Sequence, residues 1–147
     1  MAQNAQNELD DLYGDVVLDH CRTPRNSDTV EPADLRADGV NPFCGDEVHL
    51  QIALNDDQAA RVGVQSVGCS INRASASMMS EALTGKSRSD IVELAKTFRA
   101  MLKGDAPSDD EREDLGELTV LEHVREFPVR IKCALLPWST LEDALAG

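Results

Sequence analysis

The sequence predicts an α+β fold, in which a small antiparallel β-sheet is covered on one face by helices and a metal site lies at one exposed end. Apolar and polar residues alternate from Val48 to Leu54, and a β-branched run, residues 61–67, follows the turn at residues 55–57. A gap this short joins antiparallel strands. The segments on either side repeat their apolar residues every three or four positions, as helices do. Because a hairpin alone is marginally stable, its apolar face requires a cover of helices.

Length and charge narrow the classes of function. A chain of 147 residues is ordinarily one domain, and we expect a single domain over residues 1–147. With 27 acidic against 14 basic residues the net charge is -13, which disfavours a nucleic-acid partner. No apolar run is long enough to cross a bilayer, and no signal peptide is visible, so we expect a cytoplasmic protein. Four cysteines in a reducing compartment indicate metal or redox chemistry more than disulfides.

The segment before the hairpin begins with an amphipathic helix. Its apolar stripe consists of Leu9, Leu12, Tyr13, Val16 and Val17. His20 continues the core face and predicts a hydrogen-bonded packing histidine, whereas Cys21 predicts a small buried hydrophobe at the helix end. Residues 27–40 carry Asp, Pro and Gly at turn-like spacing and predict an ordered connection over the surface. Residues 41–46 predict a tight turn that leads into the first strand.

The segment after the hairpin predicts five further helices. The first follows Gly68-Cys69, repeats apolar or small residues from Ile71 to Ala82 and ends at Gly85. The second begins at Ser87 or Ser89 and ends at Gly104. Residues 105–114 are acidic and predict a solvated loop or frayed turn, and residues 118–124 predict a short helix. Residues 129–136 predict another helix that Pro137 breaks or kinks, and residues 139–142 form a capping-box pattern for a last one.

Four residues are candidates for metal binding. They are Cys44, Asp46, Cys69 and Cys133. No two cysteines form a CxxC pair, so the ligands would come from three separate elements. The hairpin brings Cys44 and Asp46 to the same end of the sheet as Cys69, where the helix N-terminus favours a thiolate. Arg130, one turn before Cys133, favours a thiolate there as well.

Four sequence patterns together cover nearly the whole chain. They are Tyr13, Val16 and His20 before Pro24-Arg25-Asn26; Asn41-Pro42-x-Cys44-Gly45-Asp46; Gly68-Cys69-x-Ile71 before Ala74-Ser75-Ala76-Ser77-Met78-Met79; and Arg130-x-x-Cys133-x-x-Leu136-Pro137-Trp138. This set resembles the IscU/NifU-N superfamily of iron–sulfur cluster assembly proteins. Two features resemble its SufU branch: the long separation of Cys69 from Cys133, with an extra segment around residues 103–120, and Lys132 where IscU-like proteins have a histidine.

The resemblance implies a zinc site made by Cys44, Asp46, Cys69 and Cys133. It also implies a sulfurtransferase that accepts persulfide sulfur from a PLP-dependent, SufS-type cysteine desulfurase and passes it to downstream Suf scaffold proteins. In this interpretation a residue of the partner displaces Cys44 from zinc so that the thiolate can attack, and Arg130 contributes to stimulating the desulfurase. Two alternatives stay open. One is a scaffold that assembles a [2Fe–2S] cluster on the three cysteines, and the other is a binding domain whose zinc is only structural.

Overall fold

A computed structural model describes residues 14–42 and 45–146 of the chain. The described elements are, in order, α1 (residues 14–22), β1 (Leu35–Asn41), β2 (Asp46–Asn55), β3 (Gln58–Val67), α2 (Ser70–Leu83), α3 (Arg88–Leu102), α4 (Asp109–Leu115), a 3₁₀ helix (Gly116–Glu126) and α5 (Pro128–Ala146). The three strands form one antiparallel sheet with β2 at its centre. Within the described residues, no helix is both long and apolar enough to span a membrane.

The predicted hairpin of β2 and β3 is confirmed. Val48, Leu50 and Ile52 are fully buried on one face of β2, as their alternation predicts. The turn between the strands has positive φ at Asp56 and Asp57, the backbone that two-residue hairpins favour. Helix α2 packs against β3 and α5 against β1 and β2, so the sheet has its helical cover.

The prediction of a surface connection over residues 27–40 is wrong for its second half, which forms strand β1. β1 pairs with β2 along its whole length, from Leu35 opposite Ile52 to Asn41 opposite Asp46. The strand was hard to recognise because its inward positions are small. At Gly39 a Cβ would lie 2.1 Å from the Thr140 hydroxyl of α5, so the helix lies directly on the strand. Because α5 lies so close, only small residues fit on this face of β1, and such residues make the sequence of the strand look like that of a turn.

Helix α2 lies at the centre of the fold and is buried on most of its sides. The predicted face is buried at Ile71, Ala74, Ser75, Met78 and Met79, and Ala82 at its end is half-buried. Burial extends beyond that face to polar side chains, which the apolar pattern does not reveal. They are Asn72, Ser77 and Ser80. The helix is therefore surrounded on most sides, by β3, α5 and the 3₁₀ helix.

Two predictions after α3 require correction. Residues 109–115 form α4 instead of a loop, since the Ser108 hydroxyl accepts from the Glu111 N–H and the Glu111 carboxylate accepts from the Ser108 N–H. Pro137 does not break the chain into two helices, and residues 139–142 begin no separate last helix, because α5 is continuous from Pro128 to Ala146. The proline costs one backbone hydrogen bond. Burial of the following turns, led by Trp138, which stacks on Phe98 with ring centroids 4.4 Å apart, stabilises the helix enough to offset that loss.

Candidate metal centre

Three of the four predicted metal ligands meet at one end of the sheet. Asp46 begins β2, Cys69 stands directly before α2, and Cys133 lies in the second turn of α5. One carboxylate oxygen and the two sulfur atoms all lie within 4.8 Å of one another. Asp46 and Cys133 are buried and Cys69 is half-buried. Elements far apart in the sequence therefore present ligand atoms to one point near the surface.

The Asp46 carboxylate is held by the strand-to-helix junction. Its Oδ1 accepts a hydrogen bond of 2.8 Å from the backbone N–H of Cys69. The approach depends on Gly68, whose φ is +115° and where a Cβ would lie 2.1 Å from that same oxygen. Cys69 gives α2 no side-chain cap, so Asp46 satisfies a backbone donor at the start of the helix.

The second oxygen of Asp46 lacks a partner. Oδ2 is buried and accepts no hydrogen bond from the described residues. An unpaired buried carboxylate oxygen is costly, and a cation beside it would remove that cost. Two sulfurs and one carboxylate oxygen are a donor set that Zn²⁺ accepts, and a tetrahedral ion spaces its ligand atoms about 3.3–3.8 Å apart. The residues present therefore fit a zinc ion.

Charge around the thiols is set by Arg130 and by burial. The Arg130 guanidinium donates a hydrogen bond of 2.9 Å to the Cys69 sulfur. The thiolate that the sequence predicts at Cys133 is contradicted. Burial, first of all, and then the nearby Cys69 and Asp46 raise the pKa of the Cys133 thiol far above its usual range. Without a cation, Cys133 thus holds its proton.

The fourth predicted ligand, Cys44, lies outside the described residues. Of the described residues on either side of it, Gly45 donates a hydrogen bond of 2.9 Å from its N–H to the Asn41 carbonyl. Strands β1 and β2 stay paired as far as Asn41 opposite Asp46. The chain on both sides of Cys44 is therefore fixed beside the three ligands, and the ligand role of Cys44 stays a prediction.

Among the described residues, the other cysteine, histidine and tryptophan side chains contribute no ligand atom to this group. Cys21 is buried, as predicted, and its thiol donates to the Ser70 carbonyl. His123 is exposed, and His49 pairs with Asp38 on the polar side of the sheet. Trp138 is fully buried and donates its indole N–H to Ser75, so its role is packing.

The pattern of ligands and the fold together match a known family. The profile of the NifU-like N-terminal domain matches residues 12–134, which include all four candidate ligands. The chain belongs to the NifU-like N-terminal domain family. The three-stranded sheet with its helical cover is thus the fold of that family, as the sequence patterns predict.

Two known relatives align with this chain over nearly its whole length. It is 39% identical over 138 residues to the zinc-dependent sulfurtransferase SufU of Bacillus subtilis, covering 94% of this chain and 92% of the relative. It is 36% identical over 144 residues to the iron–sulfur cluster assembly scaffold protein IscU of Streptococcus pyogenes, covering 96% and 87%. The crystal structure of FiSufU from Fervidobacterium islandicum superposes with a TM-score of 0.85 at 32% identity, covering 92% and 98%.

Proposed function

We propose that this protein is a zinc-dependent sulfurtransferase that accepts persulfide sulfur from a SufS-type, PLP-dependent cysteine desulfurase and passes it on for iron–sulfur cluster assembly. The observation that carries the proposal is the buried Asp46 carboxylate, whose Oδ2 accepts no hydrogen bond from the described residues, grouped with the Cys69 and Cys133 sulfurs. The zinc ligands in this proposal are Cys44, Asp46, Cys69 and Cys133. The identity with a relative named as a zinc-dependent sulfurtransferase supports it.

Cys44 is the proposed sulfur acceptor. Its thiolate attacks the terminal sulfur of the desulfurase persulfide, so a new S–S bond forms on Cys44 while the original S–S bond breaks and the desulfurase cysteine leaves as a thiolate. Bound zinc would keep the site's thiolates deprotonated and protect them from oxidation. Arg130 faces the Cys69 sulfur, and its charge partly offsets the negative charge that thiolates and carboxylate bring together.

The surface around the site has the character of a protein interface. Four large hydrophobic side chains are exposed in the described parts of the chain, and along the sequence each lies two to six positions from one of the three grouped ligands. They are Val40 (61%), Val67 (55%), Phe127 (44%) and Val129 (75%), and we call them the apolar rim. Exposed apolar groups around a polar site indicate a protein partner. The proposed partner is the cysteine desulfurase, whose persulfide must reach Cys44.

The decisive experiment is a Cys44→Ala variant assayed with a SufS-type desulfurase and labelled cysteine. We expect it to fold, to accept no label and to stimulate alanine release no further than buffer does. The matched control is Cys21→Ala, which removes a buried thiol that only bonds the Ser70 carbonyl and should retain both activities. Label transfer and stimulation that persist in Cys44→Ala would refute the acceptor role.

A cluster scaffold is the second candidate function, and a specific observation favours it. The chain is also 36% identical to a protein named as a scaffold, over nearly its full length. The same cysteines would then hold a [2Fe–2S] cluster, whose usual ligands are thiolates. Metal analysis of anaerobically purified protein distinguishes the two functions: about one colourless zinc per chain supports sulfur transfer, whereas iron, sulfide and visible colour support the scaffold.

A further inference from the structure

A second group of metal-ligating side chains lies at the other end of α2. His20 of α1, Glu81 in the last turn of α2 and Glu117 of the 3₁₀ helix bring one nitrogen and two oxygens within 4.8 Å of one another. Glu81 follows Cys69 by twelve positions, which at about 1.5 Å per residue separates the two groups by about 18 Å along the helix. The second group is therefore independent of the thiol site and of the proposed sulfur transfer.

His20 is buried and aims one ring nitrogen at the two carboxylates. Its side chain is 3% exposed, and Nδ1 lies 2.7 Å from the Ser77 hydroxyl. Nε2 lies 3.5 Å from Glu81 Oε1 and 3.6 Å from Glu117 Oε2, and in the described residues it makes no hydrogen bond. The predicted role of His20 as a hydrogen-bonded packing residue is confirmed at Nδ1, and Nε2 can interact with a further group.

The distances favour a shared cation over a shared proton. An N–H···O hydrogen bond spans about 2.7–3.2 Å, which both Nε2–carboxylate separations exceed. Two ligand atoms on one tetrahedral ion, each about 2.0–2.2 Å from it, lie about 3.4 Å apart. The observed 3.5 and 3.6 Å agree with this second arrangement. The Ser77 hydroxyl can accept a hydrogen bond from Nδ1–H, and in that tautomer the Nε2 lone pair is free to bind a metal.

The electrostatic setting also favours a cation. Glu81 lies at the C-terminal, negative end of the α2 dipole, where an acid is unfavourable, and this last turn carries no basic residue. The group opens into a cavity of about 310 Å³, whose lining holds the acids Glu81, Asp114 and Glu117 and the base Lys86. Arg25 also attracts Glu81 and Glu117, so a bound ion would share their negative charge with this guanidinium. Such a cavity leaves room for water or a small ligand to complete the coordination of an ion.

We propose that His20, Glu81 and Glu117 form a second metal site, which binds a divalent transition-metal cation through one imidazole nitrogen and two carboxylate oxygens. Imidazole with carboxylates suits Zn²⁺, Mn²⁺ or Fe²⁺, in contrast to the sulfur-rich site at the start of α2. The ion would tie α1, α2 and the 3₁₀ helix together at the surface. It would stabilise the folded chain, and well above the dissociation constant this stabilisation grows with the logarithm of the free metal concentration.

The test uses Co²⁺ as a probe on full-length protein already loaded with one equivalent of Zn²⁺. We expect one equivalent of Co²⁺ to bind with weak visible bands and without the sulfur-to-cobalt charge-transfer band that thiolate ligands produce. Of the three histidines, only His20 should show paramagnetic shifts of its ring resonances. Glu117→Gln and Glu81→Gln should each weaken Co²⁺ binding at least about tenfold, because each removes a ligand.

The matched control is Glu113→Gln, which makes the same change of charge at an exposed position of α4. It should leave Co²⁺ affinity unchanged and so separates a specific site from the general attraction of an acidic protein for cations. Both glutamates of the proposed site are substantially exposed, at 48% and 61%, so their variants should fold. Equal Co²⁺ affinity in wild type and Glu117→Gln, or shifts at histidines other than His20, would overturn the proposal.

Discussion

Gly68→Ala is the substitution that most directly connects the fold to the metal centre. An alanine there must adopt the positive φ of +115°, which costs an L-residue about 1–2 kcal/mol. Its Cβ would also lie 2.1 Å from Asp46 Oδ1 and 3.1 Å from the Asp46 Cα. Because a backbone atom is involved, the neighbour cannot simply rotate away, and overpacking of this kind adds about 1–3 kcal/mol. We expect a total loss of about 2–5 kcal/mol.

Gly85→Ala is the matched control. Gly85 also has a positive φ, +88°, but a Cβ there would meet nothing within 4 Å. It should therefore show the backbone strain alone, about 1–2 kcal/mol. The difference between the variants, about 1–3 kcal/mol, isolates the collision with Asp46.

Two measurements on the pair test this reasoning. Urea unfolding of metal-free protein gives the difference in free energy, which at a slope of about 1–3 kcal/mol per molar urea separates the midpoints by about 1 M. Chelator competition gives zinc affinity, which should fall in Gly68→Ala and stay at the wild-type level in Gly85→Ala. Equal stability of the two variants, or full zinc affinity in Gly68→Ala, would refute the role of Gly68 in placing the carboxylate.

Two further predictions concern the thiols and the apolar rim. Burial raises the pKa of the Cys133 thiol above its value in the unfolded chain. Above about pH 8.5 the unfolded thiol therefore ionises while the folded one stays protonated, and the metal-free protein loses stability as the pH rises. Urea midpoints should fall in this pH range, and they should fall less in Cys133→Ser. Val129→Ser, at a side chain 75% exposed, should leave zinc content and thermal stability unchanged. About tenfold more of this variant should be needed for half-maximal stimulation of the desulfurase, because a loss of about 1.4 kcal/mol of apolar contact weakens binding tenfold. An unchanged concentration would show that the apolar rim is not part of the interface.

The elements with one clear periodicity were predictable from the sequence. The alternation of β2 and the helical spacing in α2 and α3 each identify an element, and the structure confirms them. β1 was missed because Ala37 and Gly39, small so that α5 can lie on them, give no apolar alternation. The continuity of α5 through Pro137 depends on tertiary burial, which local propensity does not contain.

The α4 helix, in contrast, had a readable signal that the acidity of the segment concealed. Ser108 and Glu111 have the spacing of a capping box, and a first turn of acids is favourable at a helix N-terminus.

The candidate sites were predictable to different extents. Cys69 and Asp46 could be brought together from the hairpin topology alone, because both lie at the same end of adjacent strands. The hydrogen bond from the Cys69 N–H to Asp46 Oδ1 could not be predicted, because it depends on the conformation of Gly68. The group around His20 was not foreseen either. Its glutamates are 36 positions apart, and only the path of the 3₁₀ helix brings Glu117 to the end of α2.

The two oxygens of Asp46 have different surroundings, and this has a consequence for the metal binding proposed above. One oxygen accepts a hydrogen bond from the backbone at the start of α2, while the other has no hydrogen-bond partner among the described residues. Small zinc-finger domains unfold when their metal leaves, because the ion replaces a core. Here the core is built around Trp138 and Phe98 and needs no ion. With zinc bound as proposed, the ion could therefore leave and return without the chain refolding.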